Sequence, residues 1–145
     1  ADEDHGEEIQ ILSWSWGGSN PSASLEGGGS GTGKFAAQEF SFTHKQDKAS
    51  PLLWQMCCDG SHKGEAILTC RAMTGEKVEF YVITFTSVTV TSVSTGGTPG
   101  EEAITESVSL AYETFKADYT PHDAEGAGGG AIAHGWNMKE NKSMV

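Results

Sequence analysis

The stretch KVEFYVITFTSVTVTSVS, Lys77 to Ser94, is a long run of β-branched and aromatic residues without Gly, Pro or Asn. Such residues favour an extended, pleated backbone. Side chains of a strand alternate between its two faces, so Ile83 and Phe85 fall on one face and Val88 and Val90 on the other. A bulge or a sharp bend produces a change of face of this kind. The stretch therefore predicts a long, bent strand that needs partners on both sides.

The principal partner is predicted in the segment Ile104 to Tyr119. Val108 and Leu110 share one face of this segment, whereas Phe115 and Tyr119 lie on the other. A Gly-rich sequence, TGGTPG, connects it to the preceding stretch. Two segments that both change face, and that follow each other across a flexible loop, predict one long bent hairpin.

One short α-helix is predicted at about residues 50–59. Ser50 is a suitable N-cap, and Pro51 suits the first helical position because an N–H is not needed there. Asp59-Gly60 is expected to end the helix. The apolar stripe expected to face the core consists of Leu52, Leu53, Met56 and Cys57.

Alternating apolar residues predict the remaining strands. In the first of them, Leu12, Trp14 and Trp16 share a face that is expected to lie in the core. Six or so strands and one helix predict a mainly β, barrel-like fold of two sheets, with the helix on one side and long Gly-rich loops. The additional strand segments are Glu8 to Trp16, Phe35 to Thr43, Ala66 to Ala72 and Ile132 to Met138.

Length and charge restrict the classes of function. The 145 residues, 1–145, predict a single domain, and the net charge is −11, from 9 Lys and Arg against 20 Asp and Glu. Proteins bind nucleic-acid phosphates mainly through Lys and Arg, so this excess of acidic residues predicts no nucleic-acid partner. The lack of a long apolar run predicts no membrane insertion. Three cysteines cannot all form disulfides within one chain, which favours a reducing compartment. The cysteines are Cys57, Cys58 and Cys70. The N-terminus does not resemble a secretory signal, so we expect that the protein is made in the cytoplasm.

The sequence GGSGTGK, Gly28 to Lys34, resembles the phosphate loop of nucleotide-binding proteins in part. That motif needs a Ser or Thr after its Lys and a helix behind it, whereas Phe35 follows here and the next residues alternate as in a strand. A serine-nucleophile elbow fails as well, because Thr32 stands where a Gly is required. No nucleotide cofactor and no catalytic residue are predicted.

A zinc site would draw on Cys57, Cys58, His62 and Cys70. Adjacent cysteines on a helix point about 100° apart, so both rarely reach one ion. Cys57 is expected in the core and Cys58 near the surface. We predict no metal ligand, and no feature of the sequence indicates an enzyme.

Several segments, in this order and spacing, closely resemble the Hcp family, the haemolysin-coregulated proteins of bacterial type VI secretion systems. They are EIQILSWSWG (residues 8–17), FSFTHKQDKASPLL (residues 40–53), VTSVSTGG (residues 90–97) and GWNMK (residues 135–139). The resemblance covers almost the whole chain.

The resemblance implies a structural role. It implies a β-barrel-like fold with one flanking helix, a homohexameric ring, and rings stacked into an inner tube that carries effector proteins in its lumen. Sheath and spike proteins of the secretion machine are the other implied partners, and no catalysis is implied. Export from the bacterial cytoplasm would then need no signal peptide.

Two sets of residues are candidates for these contacts. Ser13 and Ser15, small and polar opposite the Trp face, are expected to face the lumen. The loop Gly17 to Lys34 is expected to make the contact between stacked rings, because glycine lets a backbone approach a neighbour closely. Its candidate contact residues are Gly17, Gly18, Ser19, Asn20, Gly28, Gly29, Gly31 and Lys34.

One departure and one alternative accompany this interpretation. Members of the family usually begin with a further strand ahead of the position of Ala1, so an exposed sheet edge is expected where that strand would pair. The alternative function is a monomeric β-barrel module that binds a small ligand or carbohydrate by stacking on indole rings. Indoles packed inside the subunit favour the tube, and several indoles exposed in one cleft favour the ligand binder. The four are Trp14, Trp16, Trp54 and Trp136.

Overall fold

A computed structural model describes residues 8–21, 34–62, 64–72, 79–121 and 130–145, and these residues are mainly β with one short helix, as predicted. Within these ranges, no helix is both long and apolar enough to cross a bilayer. The elements in chain order are β1 (Ile11–Ser15), β2 (Gly18–Ser19), β3 (Ala36–Ala37), β4 (Phe40–Lys45), α1 (Ser50–Asp59), β5 (Glu65–Arg71), β6 (Glu79–Thr86), β7 (Thr89–Gly96), β8 (Thr105–Ala111), β9 (Thr114–Tyr119), β10 (Ile132–Asn137) and β11 (Lys142–Ser143).

The predicted bent hairpin is confirmed. Its first arm breaks at Ser87, which has a φ of 53°, a left-handed conformation that is uncommon outside glycine. Before the break β6 pairs with β9, and after it β7 pairs with β8, both antiparallel. The second arm breaks between Ala111 and Thr114. The face change in the sequence therefore marks the point at which the chain leaves one sheet for another.

The first compact unit contains β1, β4, α1, β7 and β8. Its four strands form a sheet in the order β1-β4-β8-β7, and α1 packs against β7. Alternate residues of β4 and β8 point to one side of the sheet and are buried, and full burial of such a side chain is worth about 1.5–3 kcal/mol. The buried apolar residues of this unit are Phe40, Phe42, Val90, Val108 and Leu110.

The second compact unit contains a five-stranded sheet in the order β11-β10-β9-β6-β5. Tyr112 packs on Phe85, with ring centroids 4.6 Å apart. The buried apolar residues of this unit are Leu68, Ile83, Phe85, Val88, Phe115 and Ala117. Over the described residues each of the two larger sheets has open edges, so neither closes on itself.

The helix boundaries are confirmed, but the predicted start signal is wrong. Ala49 occupies the N-cap and has no side-chain oxygen with which to cap the helix. The Oγ of buried Ser50 instead accepts a hydrogen bond from the Asp47 backbone N at 3.0 Å. At the other end, Gly60 adopts a left-handed φ of 65° and its N–H donates to the Met56 carbonyl. Leu52, expected to face the core, is 62% exposed.

The expectation that the Trp face of β1 lies in the core is also wrong. Trp14 pairs with Phe42 and stacks on Phe40, with ring centroids 5.9 Å apart, so it lies on the face that the alternation predicted. It is nevertheless 39% exposed, and Leu12 is 55% exposed. Among the described residues β1 is an edge strand of its sheet, so a single neighbouring strand, β4, shields these side chains.

Candidate functional site

Side-chain hydroxyls cover the face of the first sheet that lies opposite its core. The register of the four strands arranges them in two rows that cross the sheet. We call these eight residues the hydroxyl face. The first row is Ser13, Thr43, Ser107 and Ser94, and the second row is Ser15, Ser41, Ser109 and Ser92, each in the order β1, β4, β8, β7.

Alternation within β4 and β8 produces the central half of the hydroxyl face. In β4, Ser41 and Thr43 alternate with two buried phenylalanines, and in β8 Ser107 and Ser109 alternate with buried Val108 and Leu110. Because successive side chains of a strand point to opposite sides, burial of the apolar set leaves the hydroxyls on the other side.

The β7 part of the hydroxyl face depends on a β-bulge. Uninterrupted alternation would place Ser92 and Ser94 on the same side as buried Val90. The register instead shifts between Val90 and Ser92, with Thr91 as the extra residue, so that both serines turn to the hydroxyl side. The Oγ1 of Thr91 donates to the Glu39 carboxylate at 2.9 Å.

The hydroxyls bond to one another across the strands. Ser13 Oγ lies 2.6 Å from Thr43 Oγ1, and Ser41 Oγ lies 2.9 Å from Ser109 Oγ. A hydroxyl has one proton to donate and two lone pairs, so each pair keeps capacity for a further partner or water. A serine nucleophile needs a base beside it, whereas these bonds join hydroxyl to hydroxyl.

The hydroxyl face is uncharged, although the chain carries a net charge of −11. The next alternating position of β4 is Lys45, opposite Thr105 at the end of the strand pair. Small hydroxyls hydrate well and carry neither a large apolar surface nor a formal charge. Such a surface suits transient polar contacts better than tight binding.

A small depression lies in the hydroxyl face. Its volume is about 200 Å³, below the range of about 300–1,000 Å³ that is usual for small-molecule sites. The geometry does not favour the alternative of a small-ligand pocket at this place. The depression is lined by Ser13, Trp14, Ser15, Ser41, Phe42, Thr43, Ser107, Val108 and Ser109.

The two predicted lumen residues, Ser13 and Ser15, lie side by side on the hydroxyl face and are exposed. The other six members were missed. A signal was nevertheless present, because each strand carries two hydroxyl residues separated by one position. These pairs are Ser13 and Ser15, Ser41 and Thr43, Ser92 and Ser94, and Ser107 and Ser109.

The predicted stacking loop is described only at its two ends. Gly18, Ser19 and Asn20 are exposed at the beginning, and Lys34 is exposed at the end. The Gly17 carbonyl accepts a hydrogen bond from the Gln38 backbone N at 2.9 Å. The remaining predicted contact residues, Gly28, Gly29 and Gly31, lie outside the described residues.

The four indoles do not share one pattern of burial. Trp54 is 40% exposed, yet its Nε1 donates to Glu106 at 2.8 Å. Trp16 is half-buried, and Trp136 has a buried Nε1. Trp14 and Trp54 are thus the two most exposed indoles of the first unit, and each contacts a buried side chain.

The side chains that the sequence offers for metal binding are Cys57, Cys58, His62 and Cys70. In the part of the chain that the structure describes, no three His, Cys, Asp or Glu side chains come together in a way that would hold a metal ion. Cys57, Cys58 and Cys70 are free thiols. Cys58 is exposed, and burial raises the pKa of the Cys70 thiol.

Comparison with known proteins identifies the class of protein to which this fold belongs. The family model described as "Type VI secretion system effector, Hcp" matches residues 1–119. This match places the chain among the proteins of type VI secretion.

Individual relatives support the same assignment. Protein hcp1 of Pseudomonas aeruginosa is 45% identical over 142 residues, which cover 97% of this chain and 88% of the relative. Hcp1 from Salmonella typhimurium superimposes with a TM-score of 0.80 at 35% identity, covering 99% of this chain and 89% of that one. Another solved structure, of "a type six secretion system protein", gives a TM-score of 0.91 at 29% identity, with coverage of 99% and 90%. The chain belongs to the Hcp family, and the resemblance seen in the sequence is confirmed.

Proposed function

We propose that this chain is a structural subunit of the inner tube of a type VI secretion system. Six copies form a ring, rings stack into a tube, and the tube carries effector proteins in its lumen. The subunit is made in the bacterial cytoplasm and leaves the cell with its effectors. Its other partners are the sheath and spike proteins of the secretion machine. Membership of the Hcp family supports the proposal. The main structural observation in its favour is the hydroxyl face.

The hydroxyl face has the chemistry that a lumen wall requires. A passing protein must be hydrated and contacted, yet not held by a large apolar patch or by fixed charges. Eight small hydroxyls in two rows meet this requirement, and Ser13 and Ser15 belong to both the predicted lumen wall and these rows.

The edges of the first sheet suit a ring. In a closed ring of identical subunits, one patch contacts a different, complementary patch on the next copy. The sheet has two different edge strands, β1 and β7. Leu12 and Trp14 on β1 are exposed apolar side chains, and aromatic residues are enriched in the buried centres of protein interfaces. A neighbouring copy would cover them.

Contact between rings is assigned to the loop that begins at Gly17 and ends at Lys34. Gly18 and Ser19 are exposed and lack bulky side chains, so a neighbouring backbone can approach them closely. The assignment is a prediction over the whole loop, and Gly28, Gly29 and Gly31 lie outside the described residues.

Solution mass tests the ring. Size exclusion with light scattering is expected to give about six times the chain mass of 15.3 kDa. Leu12→Ser is expected to lower this mass because it removes an apolar interface contact. Leu52→Ser is the matched control, since Leu52 is also exposed but lies on α1.

A monomeric mass for the unaltered chain would overturn the ring. It would favour instead the alternative of a monomeric module that binds a small ligand or carbohydrate, for which the partly exposed Trp14 and Trp54 are the candidate stacking surfaces. Equal loss of the hexamer in both leucine variants would contradict the assignment of β1 to the subunit contact.

A further inference from the structure

Charges of opposite sign lie at the two ends of the hydroxyl face, both on the chain of β4. Glu39 directly precedes this strand, and Lys45 is its last residue. Side chains two positions apart on a strand point to the same side, so these two residues share the side of Ser41 and Thr43. Both are exposed. They are six positions apart in the sequence, which corresponds to about 20 Å of extended chain.

A hydrogen bond holds the carboxylate at one end beside the second row of the hydroxyl face. Glu39 Oε2 accepts it from Thr91 Oγ1 at 2.9 Å. The same hydroxyl oxygen lies 3.2 Å from the carbonyl oxygen of Ser109, a member of that row. Because a hydroxyl donor is neutral, this bond positions the carboxylate without compensating its charge.

The ammonium group at the other end lies one alternating position beyond the first row. Lys45 pairs there with Thr105, which in turn pairs with Gly96 on β7. Thr and Gly are small, so neither β8 nor β7 covers this end with a bulky side chain. In the part of the chain that the structure describes, the salt bridges do not include Lys45. Its charge is therefore available to a partner.

Other exposed charges near the Lys45 end belong to connecting segments. Glu101 and Glu102 lie between β7 and β8, and Lys48 lies between β4 and α1. Strand register does not place these three side chains on the hydroxyl face. Lys45 is therefore the charge that the sheet itself presents at this end.

We propose that the hydroxyl face and its two charges form a track that orients the cargo. The inference rests on the proposed function, since the cargo is a protein segment that passes the lumen wall. This segment carries a cationic side chain that faces Glu39 and an anionic side chain, about 20 Å further along, that faces Lys45. The reversed segment would bring like charges together at both ends. Exposed ion pairs contribute little individually, so these contacts select a direction without holding the cargo.

All six tracks of a ring would point the same way. Copies in a closed ring are related by rotation about its axis, so each presents its carboxylate and its ammonium group in the same order along that axis. A cargo segment therefore meets the same direction on whichever subunit it contacts.

Paramagnetic relaxation enhancement tests the direction in the unaltered chain. The probe is a synthetic peptide with blocked termini, two arginines at one end, two aspartates at the other, and glycine and serine between them. A nitroxide label at the arginine end is expected to broaden the amide signals of Phe40 and Ser92 several-fold more than those of Lys45 and Thr105. A label at the aspartate end is expected to give the reverse. The same pattern with both labels overturns the proposal, as does a difference that high salt leaves unchanged.

Two exchanges of charge assign the direction to the named residues. Glu39→Lys combined with Lys45→Glu keeps the net charge and is expected to invert the preference of the peptide. Glu102→Lys combined with Lys48→Glu is the matched control, because both of these residues are exposed and lie outside the strands. If the first exchange leaves the preference as it is in the unaltered chain, or if the control inverts it, the track is wrong.

Solution mass keeps this test separate from the test of the ring. The direction is measured on the hydroxyl face of each chain and does not require six copies. A hexamer without a directional preference overturns the track and leaves the ring in place. A directional preference on a monomer supports the track and overturns the ring.

Discussion

Cys70 and Tyr81 show how burial acts on single residues. They are cross-strand neighbours on β5 and β6. Burial raises the pKa of the Cys70 thiol above its ordinary value of 9.0. Burial, followed by the charge of Cys70, raises the pKa of Tyr81 above 10.0. The folded chain therefore binds both protons more tightly than the unfolded chain does.

This shift predicts a loss of stability in alkali. A group whose folded pKa is raised contributes fully below its unfolded pKa, and the contribution is lost as pH rises through the folded value. The midpoint of urea unfolding is therefore expected to fall as pH passes about 9 to 10. With Tyr81→Phe the urea midpoint should fall less in alkali than it does in the unaltered chain. Tyr119→Phe, which changes an exposed tyrosine of the same sheet, should show the same fall as the unaltered chain. An equal loss in all three proteins would contradict the role of Tyr81.

At the scale of elements, α1 depends on the glycine that ends it. Gly60 has a φ of 65°, and an added Cβ would meet no atom within 4 Å. Gly60→Ala therefore tests backbone strain alone and is expected to lower the free energy of unfolding by about 1 kcal/mol. Gly97 is the matched control, because its Cβ would also meet open space and its φ is not in the left-handed region. Chemical denaturation measures both, and an equal change in the two variants would exclude strain as the cause.

The pairing of β9 and β10 depends on a different property of glycine. A Cβ at Gly135 would lie 2.7 Å from the Phe115 carbonyl oxygen and 3.2 Å from Lys116 Cα, both backbone atoms that cannot move aside cheaply. Gly135→Ala is expected to destabilise the chain by about 1–3 kcal/mol, as overpacking does. Gly130→Ala, where nothing lies within 4 Å, should be close to neutral. Thermal unfolding of the two variants is the measurement, and similar melting temperatures would contradict the close approach.

Local sequence patterns predicted the elements better than they predicted their surroundings. The bounds of α1 and the bent hairpin follow from Gly60 and from period-two alternation, which are properties of neighbouring residues. The burial of Trp14 depends on whether β1 has one neighbour or two, and that is a property of the sheet. Ser50 is buried at the start of α1, and its Oγ accepts a hydrogen bond from the Asp47 backbone N instead of capping the helix, which the capping preference alone does not predict.

The hydroxyl face, too, was predictable where it depends on neighbouring residues and unpredictable where it depends on the sheet. Ser13 and Ser15 were predicted to share an exposed face because alternation alone places them there. Their assembly with Ser92 and Ser94 into rows depends on the bulge at Thr91 and on the register of four strands. No local preference fixes that register, since Thr is compatible with both a regular strand and a bulge.

Charge acts at the scale of the whole molecule and its proposed assembly. A ring of six chains carries −66, six times the chain charge of −11. The hydroxyl face contributes none of this charge, so the electrostatic repulsion between chains arises from the other surfaces. Screening shortens the reach of exposed charges to about 8 Å at physiological ionic strength, and less at higher salt.

Stacking of rings is therefore expected to strengthen as salt rises. Two rings with a charge of −66 each repel at long range, whereas the uncharged Gly18 and Ser19 at the proposed contact lose little by screening. Sedimentation velocity at rising sodium chloride concentration measures the fraction of stacked rings. Association that weakens steadily with salt would mean that complementary charges hold the rings together. In that case Lys34, the exposed cation at the end of the loop, becomes the residue to test, and Lys34→Gln should weaken stacking at low salt while Lys142→Gln, an exposed lysine paired with Glu140, should not.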